Sequence, residues 1–346
     1  MIMQLPQIIM LPKILDFLNN VAIRLINAVF PPKCLKCSRL IDTDNFLQLQ
    51  SQSHNKNQSH NKNLILKKAL SLRTDPEIIK ILFSEFFCNR CIEKAEFVAF
   101  KPPFCIKCGA ELKTRDTEET RDTEETRGME KTRSMEETRG MEKTRDTEKT
   151  WGMGKTRSTE NYLCKECIKN KSHLGKIRAC GMYKGILRES IHLLKYNKKT
   201  GLSRPLGILL FSAFEKYFSR DHIDLILPVP LHRAKLKQRG FNQSFLIVKD
   251  FKKLWEILYK TPPHWKIDYN ILARQKNTKS QTGFDKKKRK ENIKGAFKVT
   301  QPDKIKDKHI LLVDDVYTTG ATAGESASVL LDAKALSVDV LVVARA

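Results

Sequence analysis

The sequence predicts an α/β protein with a parallel sheet in its C-terminal half, preceded by a cysteine-rich segment. Short apolar runs alternate with helical periodicity after residue 175, as in strand–helix–strand units. Eight of the nine cysteines form four C-x-x-C pairs before that point. The chain has 346 residues, 40% hydrophobic and 30% charged, enough for about two domains. No run of about 18 apolar residues is present, which excludes an integral membrane protein.

The elements of the C-terminal half, 175–346, follow from their periodicity. Pro228 and Pro230 close the second strand, and the nearly continuous apolar run at 309–313 is typical of a strand buried on both faces. A single core helix is expected at 241–259, because its apolar residues keep helical spacing throughout. Strands are predicted at 177–182, 224–227, 309–313 and 338–344, and the other helices at 185–196 and 322–335.

Residues 1–32 form the first predicted unit, an amphipathic helix. Apolar residues recur at helical spacing between residues 14 and 29 and are interrupted by polar ones. We expect this helix to pack on the protein itself. Anchoring at a membrane surface is the alternative, although Lys13 and Arg24 are the only cations there. The segment lacks a basic leader and a cleavage site, and the cysteine count is odd, so we expect a cytoplasmic location.

Two segments within 33–172 repeat themselves and are predicted to be solvated insertions. The hexapeptide at 52–57, QSHNKN, is copied at 58–63, and eight related hexapeptides fill residues 114–161. A six-residue period advances about 600° around a helix, so it builds no continuous apolar stripe. The cysteine-rich module is therefore expected to carry insertions at about 42–80 and 114–161.

The four C-x-x-C pairs predict structural zinc. Two thiolates on one tight turn can share a tetrahedral Zn²⁺ with a second such pair, so four pairs imply one or two zinc ions. The spacing leaves open which pairs share an ion. A redox dithiol is the less favoured alternative, because these segments lack a thioredoxin-like setting, and the ninth cysteine, Cys180, lies in an apolar strand as a buried thiol. The predicted ligands are Cys34, Cys37, Cys88, Cys91, Cys105, Cys108, Cys164 and Cys167.

Residues 310–322, ILLVDDVYTTGAT, predict a phosphate-binding site. A buried strand delivers Asp314 and Asp315 to its carboxyl end, where ligands bind in open α/β sheets. A small, hydroxyl-rich turn then opens a helix whose unpaired N–H groups can hold a phosphate. The carboxylates suit sugar hydroxyls and Mg²⁺. The turn consists of Thr318, Thr319, Gly320, Ala321 and Thr322.

This 13-residue pattern resembles the phosphoribosyl pyrophosphate (PRPP) motif of type I phosphoribosyltransferases. Two further stretches are similar to signatures of the ComF competence family: LPVPLHRAKLKQRGFNQ at 227–243 and LARQKNTKSQTGFDKKKRKENIKGAF at 272–297. With the four cysteine pairs, the resemblance covers nearly the whole chain outside the insertions. It implies a double-zinc-ribbon-like module fused to a phosphoribosyltransferase domain.

The resemblance also implies roles for individual residues. Asp314 and Asp315 would hold the ribose hydroxyls of PRPP with Mg²⁺, and the turn at 318–322 its 5′-phosphate. Lys195 and Tyr196 match the family's first-helix signature. Further phosphate contacts would come from Arg233, Lys235, Arg239 and Arg274. The mobile loop over the site would include Thr278, Gln281, Arg289 and Asn292.

The net charge of +25 predicts attraction to phosphate-rich partners. Residues 228–298 carry 19 Lys and Arg against 5 Asp and Glu, and the densest run is Lys286, Lys287, Lys288, Arg289 and Lys290. Nearby aromatic residues, among them Trp255 and Trp265, could stack on bases, although Trp255 has the helical phase of a core residue. The resemblance implies a role in uptake of single-stranded DNA together with DNA-import helicase machinery. A metabolic phosphoribosyltransferase with a small acceptor is the alternative, and whether transfer occurs at all is left open.

Overall fold

A computed structural model describes residues 32–41, 76–94, 104–112, 163–169, 174–218, 222–278 and 291–346. The amphipathic helix predicted within 1–32, both sets of repeats and the basic run at 286–290 lie outside these ranges. None of the described helices is both long and apolar enough to cross a membrane.

The fold is built on a five-stranded parallel sheet, which confirms the predicted α/β class. With strands numbered in chain order, the sheet runs β1-β7-β6-β2-β3, and β4 and β5 form a separate antiparallel pair. The strands are β1 Ile177–Met182, β2 Leu225–Pro228, β3 Lys266–Ile267, β4 Leu272–Arg274, β5 Phe297–Val299, β6 His309–Tyr317 and β7 Ser337–Arg345.

Strand β6 occupies the middle of the sheet because it is apolar on both faces. Leu312 pairs with Leu227 of β2 on one side and with Val340 of β7 on the other. Residues 310–313 are fully buried, as a central parallel strand requires. The strand continues four residues beyond its predicted end, through both aspartates to Tyr317. Those aspartates therefore belong to the ordered sheet.

Helices cover both faces of this sheet. In chain order they are α1 Pro76–Phe83, α2 Asn89–Lys94, α3 Lys165–Lys169, α4 Gly185–Tyr196, α5 Ser203–Phe218, α6 Arg233–Arg239, α7 Gln243–Val248, α8 Phe251–Tyr259 and α9 Ala321–Asp332. One core contains α4, α5, α7 and α8 against Leu311, Val313 and Leu341. The other contains α9 and the β4–β5 pair against Ile310 and Leu312.

The single helix predicted at 241–259 is wrong, since two helices occupy that span. The chain breaks at Lys249 and Asp250, and Asp250 has the non-helical φ of −90° and ψ of 0° at the start of α8. Aspartate is favoured at helix N-termini. Val248 and Phe251, on either side of the break, are both fully buried in the same core.

The structure decides the places of Trp255 and Trp265, the two tryptophans considered for base stacking. Trp265, which the sequence offered as a residue that could stack on bases, is buried and packs edge-on against Phe214. Trp255 packs partly buried against the same core, as its helical phase indicates. Trp265 is therefore not a surface for base stacking, whereas Tyr269 is well exposed.

Candidate functional site

The two adjacent aspartates of β6 meet different environments. Asp315 is only 3% exposed, and its Oδ1 lies 2.8 Å from the ammonium nitrogen of Lys195, at the end of α4. Burial disfavours the charge on Lys195, but the carboxylates of Asp315 and Asp314 outweigh it and raise the pKa of this lysine. Asp315 is therefore neutralised within the fold, and none of the described cations forms such an ion pair with Asp314.

Asp314 is held by hydrogen bonds. Its Oδ1 accepts from the Ser244 hydroxyl at 2.9 Å and from the backbone N–H of Asp315 at 2.9 Å. Burial, reinforced by the charge of Asp315, raises the pKa of Asp314 to about 7. A carboxyl group poised between its two protonation states near neutral pH is typical of functional sites.

The predicted phosphate turn follows β6 directly. Gly320 precedes the first residue of α9 with a φ of +76°, and the amide of Ala321 donates to the Thr319 hydroxyl at 3.4 Å. Any side chain at position 320 would clash with the hydroxyl of Tyr317. Glycine is thus required here by both backbone angle and space, and the N-terminus of α9 opens on this turn.

Three cations gather at the same edge of the sheet. Lys235 and Arg239 lie one turn apart on α6 and are half-buried, whereas Arg233 and Lys237 on that helix are exposed. Burial, together with the like charges of Arg274 and Arg239, lowers the pKa of Lys235. Burial lowers the pKa of Arg274, and the negative charge of Asp314 opposes this effect. Clustered like charges of this kind favour an anionic ligand.

Aromatic rings support two of these cations. The Arg239 guanidinium lies 5.8 Å from the ring centroid of Tyr196, which is 60% exposed, and that of Arg274 lies 5.3 Å from the ring centroid of Phe297. Arg239 also donates to Gln243, and Arg274 to Thr278. These contacts fix the direction of both guanidinium groups.

Sequence reasoning missed two residues that organise this edge. Asn242 caps α7 by accepting from the amide of Ser244 at 3.0 Å, and its side-chain amide donates to the carbonyl of Val229 at 3.1 Å. Ser244 then reaches Asp314. An asparagine directly before a helical stretch is a recognisable N-cap signal; its link to the Val229 loop depends on the tertiary fold.

Of the residues expected in a mobile loop, Thr278 is buried and Asn292 is half-buried. Gln281 and Arg289 lie outside the described residues, as do Lys286, Lys287, Lys288 and Lys290. Cys180 is buried in β1 as expected, and burial raises the pKa of its thiol.

The structure joins the cysteine pairs in chain order. Cys34, Cys37, Cys88 and Cys91 form a first cluster, and Cys105, Cys108, Cys164 and Cys167 a second, with the sulfur atoms of each within 4.8 Å of one another. The two clusters pack against opposite cores of the sheet.

Both clusters share one local architecture. In each, the first cysteine pair sits in a tight hairpin: the carbonyls of Cys34 and Cys105 accept from the amides of Ser38 and Gly109, both at positive φ. The second pair of each cluster begins a helical turn, in which the amide of the second cysteine donates to the carbonyl of the first at 2.9 Å. In each cluster, the hairpin and the helical turn together bring four sulfur atoms into one place, although the two cysteine pairs are far apart in the sequence.

These donor sets fit Zn²⁺. Tetrahedral zinc with bonds of about 2.3 Å places sulfurs about 3.8 Å apart, and the Cys37–Cys88 and Cys108–Cys164 sulfur pairs are each 3.6 Å apart. Hydrogen bonding from Cys108, against burial, lowers the pKa of Cys105 to about 4. One thiolate is thus available to begin metal binding, and the two clusters can hold structural zinc.

Metal analysis of the purified protein is expected to give close to two zinc ions per chain. Cys37→Ser and Cys164→Ser each remove one ligand from one cluster and should each lower the content to about one. Because zinc binding displaces thiol protons, acidification should release the metal. A metal-free protein that retains its fold would contradict the assignment of the clusters.

The pH dependence of stability tests the environment of Asp314. The folded protein holds its proton up to about pH 7, whereas the unfolded chain releases it near the ordinary value of 3.8. Stability therefore falls as pH rises through this window. In urea unfolding of the zinc-loaded protein, Asp314→Asn should be more stable than wild type at pH 8, with the difference shrinking towards pH 5.

Asp315→Asn is the comparison for that measurement. It leaves the half-buried Lys195 without its ion-pair partner and should cost about 3–5 kcal/mol at both pH values. Equal effects of the two substitutions would contradict the division of roles between the aspartates.

Comparisons with known proteins find relatives of the chain, although no family model matches it. It is 30% identical over 182 residues to the DNA utilization protein YhgH of Escherichia coli, covering 51% of this chain and 75% of the relative. It is 30% identical over 171 residues to competence protein F of Haemophilus influenzae, covering 48% and 71%. Identity to competence protein ComFC of Bacillus subtilis is 27% over 183 residues, covering 51% and 69%. The parallel sheet, the paired cysteine clusters and these relatives together place the chain in the ComF competence family.

Proposed function

We propose that this protein binds PRPP at the carboxyl edge of its sheet and acts with single-stranded DNA during DNA uptake. The observation that carries the proposal is the convergence of a carboxylate, a helix-opening turn and three cations at one edge. Each has a counterpart in PRPP, which combines sugar hydroxyls, a 5′-phosphate and a pyrophosphate.

The hydroxyl end of the ligand suits Asp314. Within the part of the chain that the structure describes, no cation pairs with this carboxyl as Lys195 pairs with Asp315, and the hydrogen bond from Ser244 orients it. Ribose hydroxyls can donate to it directly, and a Mg²⁺ ion bound to the pyrophosphate would favour its ionised form. The adjacent turn at 318–322 offers N–H groups of α9 to the 5′-phosphate.

The pyrophosphate end suits the three cations. Lys235, Arg239 and Arg274 repel one another in the ligand-free protein, and a pyrophosphate would relieve this repulsion while accepting charge-assisted hydrogen bonds. If transfer takes place, the same cations would stabilise the departing pyrophosphate. The proposed chemistry therefore needs positioned charge and no covalent intermediate on the protein.

The proposal for DNA rests on the relatives and on charge. Two relatives are named for DNA utilization or competence, and the chain carries a net charge of +25. Exposed Tyr196, with Arg239 on its ring, and exposed Tyr269 are platforms on which bases can stack. Helicase machinery of DNA import would be the protein partner.

Calorimetric titration with PRPP and Mg²⁺ tests the first part. Lys235→Met should weaken binding about tenfold or more, because a charge-assisted hydrogen bond contributes about 1.5–3 kcal/mol. Lys237→Met, on the exposed side of the same helix, is the matched control and should bind almost as wild type does. Absence of PRPP binding, or equal effects of both lysines, would refute the site. Pyrophosphate release with a free base would instead support a metabolic transferase.

Binding of a single-stranded oligothymidylate, followed by fluorescence anisotropy, tests the second part. Affinity should fall steeply with salt. Replacing Lys286, Lys287 and Lys288 by serine should reduce the slope of log affinity against log salt concentration by about two, because each neutralised phosphate contributes about 0.7. PRPP affinity should change little. Loss of PRPP binding with unchanged DNA binding would assign the basic run to the PRPP site.

A further inference from the structure

The second cysteine cluster contacts β7, the strand beside the one that leads into the phosphate turn. The side chain of Arg345, at the end of β7, donates from Nη1 to the carbonyl of Cys108, and its Nη2 lies 3.7 Å from the Cys108 sulfur. Cys108 is itself buried. The guanidinium is therefore fastened to a cluster ligand by two contacts in a geometry that only a forked side chain can satisfy.

The other side of Arg345 faces Tyr317. Its guanidinium carbon lies 5.1 Å from the ring centroid of Tyr317, the residue paired with it across β6 and β7. The amide of Ala346 donates to the carbonyl of Tyr317 at 2.9 Å, so the backbone is fixed as well. Arg345 thus lies between the cluster and the last residue of β6.

Tyr317 packs against the phosphate turn at Gly320. Its hydroxyl occupies the space that a side chain at Gly320 would fill. Gly320 precedes the first residue of α9, and its carbonyl accepts from the amide of Gly324 at 2.7 Å. A change in the position of the Tyr317 ring would therefore change the turn and the start of the helix.

We infer that Arg345 is a positioning residue that couples metal binding at the second cluster to anion binding at the turn 318–322. Four thiolates around one divalent cation carry a formal charge of about −2, which holds the guanidinium at Cys108. Without metal the four sulfurs are no longer held together, the hairpin that presents the Cys108 carbonyl and sulfur to Arg345 is less fixed, and Tyr317 loses the group that fixes its ring. The inference deepens the proposed function and rests on it for the identity of the anion.

Coupling of this kind is reciprocal. If metal raises the affinity of the turn for PRPP by some factor, PRPP must raise the affinity of the second cluster for zinc by the same factor. Arg345→Met should abolish this mutual effect, whereas loss of a residue needed only for stability should leave it in place. We expect a factor on the order of ten.

The experiment uses the full chain and compares matched variants. Arg345→Met is set against Arg178→Met, because Arg178 also donates to this hairpin, at the Ile106 carbonyl, and also lies over an aromatic ring, that of Tyr217. Cys164→Ser is set against Cys37→Ser, which disables the first cluster. Three quantities are measured: hydrogen exchange of residues 317–325 without ligand, PRPP affinity, and zinc release to a chromogenic chelator with and without PRPP.

Arg345→Met in its zinc-loaded form, and Cys164→Ser, which lacks metal in the second cluster, should each speed exchange of the turn and weaken PRPP binding about tenfold. The two changes together should have no larger effect than either alone. PRPP should slow zinc release from the second cluster in wild type and not in Arg345→Met. In the Arg178→Met and Cys37→Ser proteins, hydrogen exchange of residues 317–325 should be the same as in wild type.

Equal exchange in Arg345→Met and wild type would overturn the inference, as would equal effects of the two cysteine variants. Should Cys164→Ser fail to fold, Arg345→Met decides, because it retains all eight ligands. If wild type does not bind PRPP, the proposed function fails, while the exchange comparison still decides whether the cluster and the turn are coupled.

Discussion

The buried ion pair between Lys195 and Asp315 is the interaction around which the site is arranged. It joins the end of α4 to the central strand at a distance of 2.8 Å, where water has little access. Two adjacent carboxylates on a buried strand cannot both be charged at low cost. Because Lys195 neutralises Asp315, the cost falls on Asp314, whose pKa is raised to about 7. The next residue of α4, Tyr196, then carries Arg239 on its exposed ring.

The same edge is electrostatically unfavourable without a ligand. Lys235 lies near two other cations and Asp314 near a second carboxylate, so both signs of charge are locally crowded. The large apolar cores on both faces of the sheet can offset this cost. Local conflicts of this kind, in an otherwise consistent fold, are expected at functional sites because ligands relieve them.

The cysteine clusters explain how the chain tolerates its repeats. Each cluster combines a hairpin with a helical turn from much later in the sequence, and the repeats lie between those two halves. Closing a longer loop costs only about 0.6 kcal/mol per doubling of its length, whereas a structural zinc contributes on the order of 10 kcal/mol. Metal ligation can therefore fix both ends of an insertion. The clusters also extend the two cores, since Cys34 packs in one and Cys105 in the other.

Local patterns were sufficient to predict four of the five strands of the parallel sheet, the helix at 185–196, the four cysteine pairs and the turn after Asp315. Each of these depends on residues close in sequence, through periodicity or a tight turn. The sequence could not determine which cysteine pairs share a cluster, that Trp265 is buried, or that the helix breaks at Asp250. Nor could it show that Lys195 pairs with Asp315, or that Arg345 links Cys108 to Tyr317. These contacts join residues far apart in the chain, and only the packing of strands and helices brings them within bonding distance.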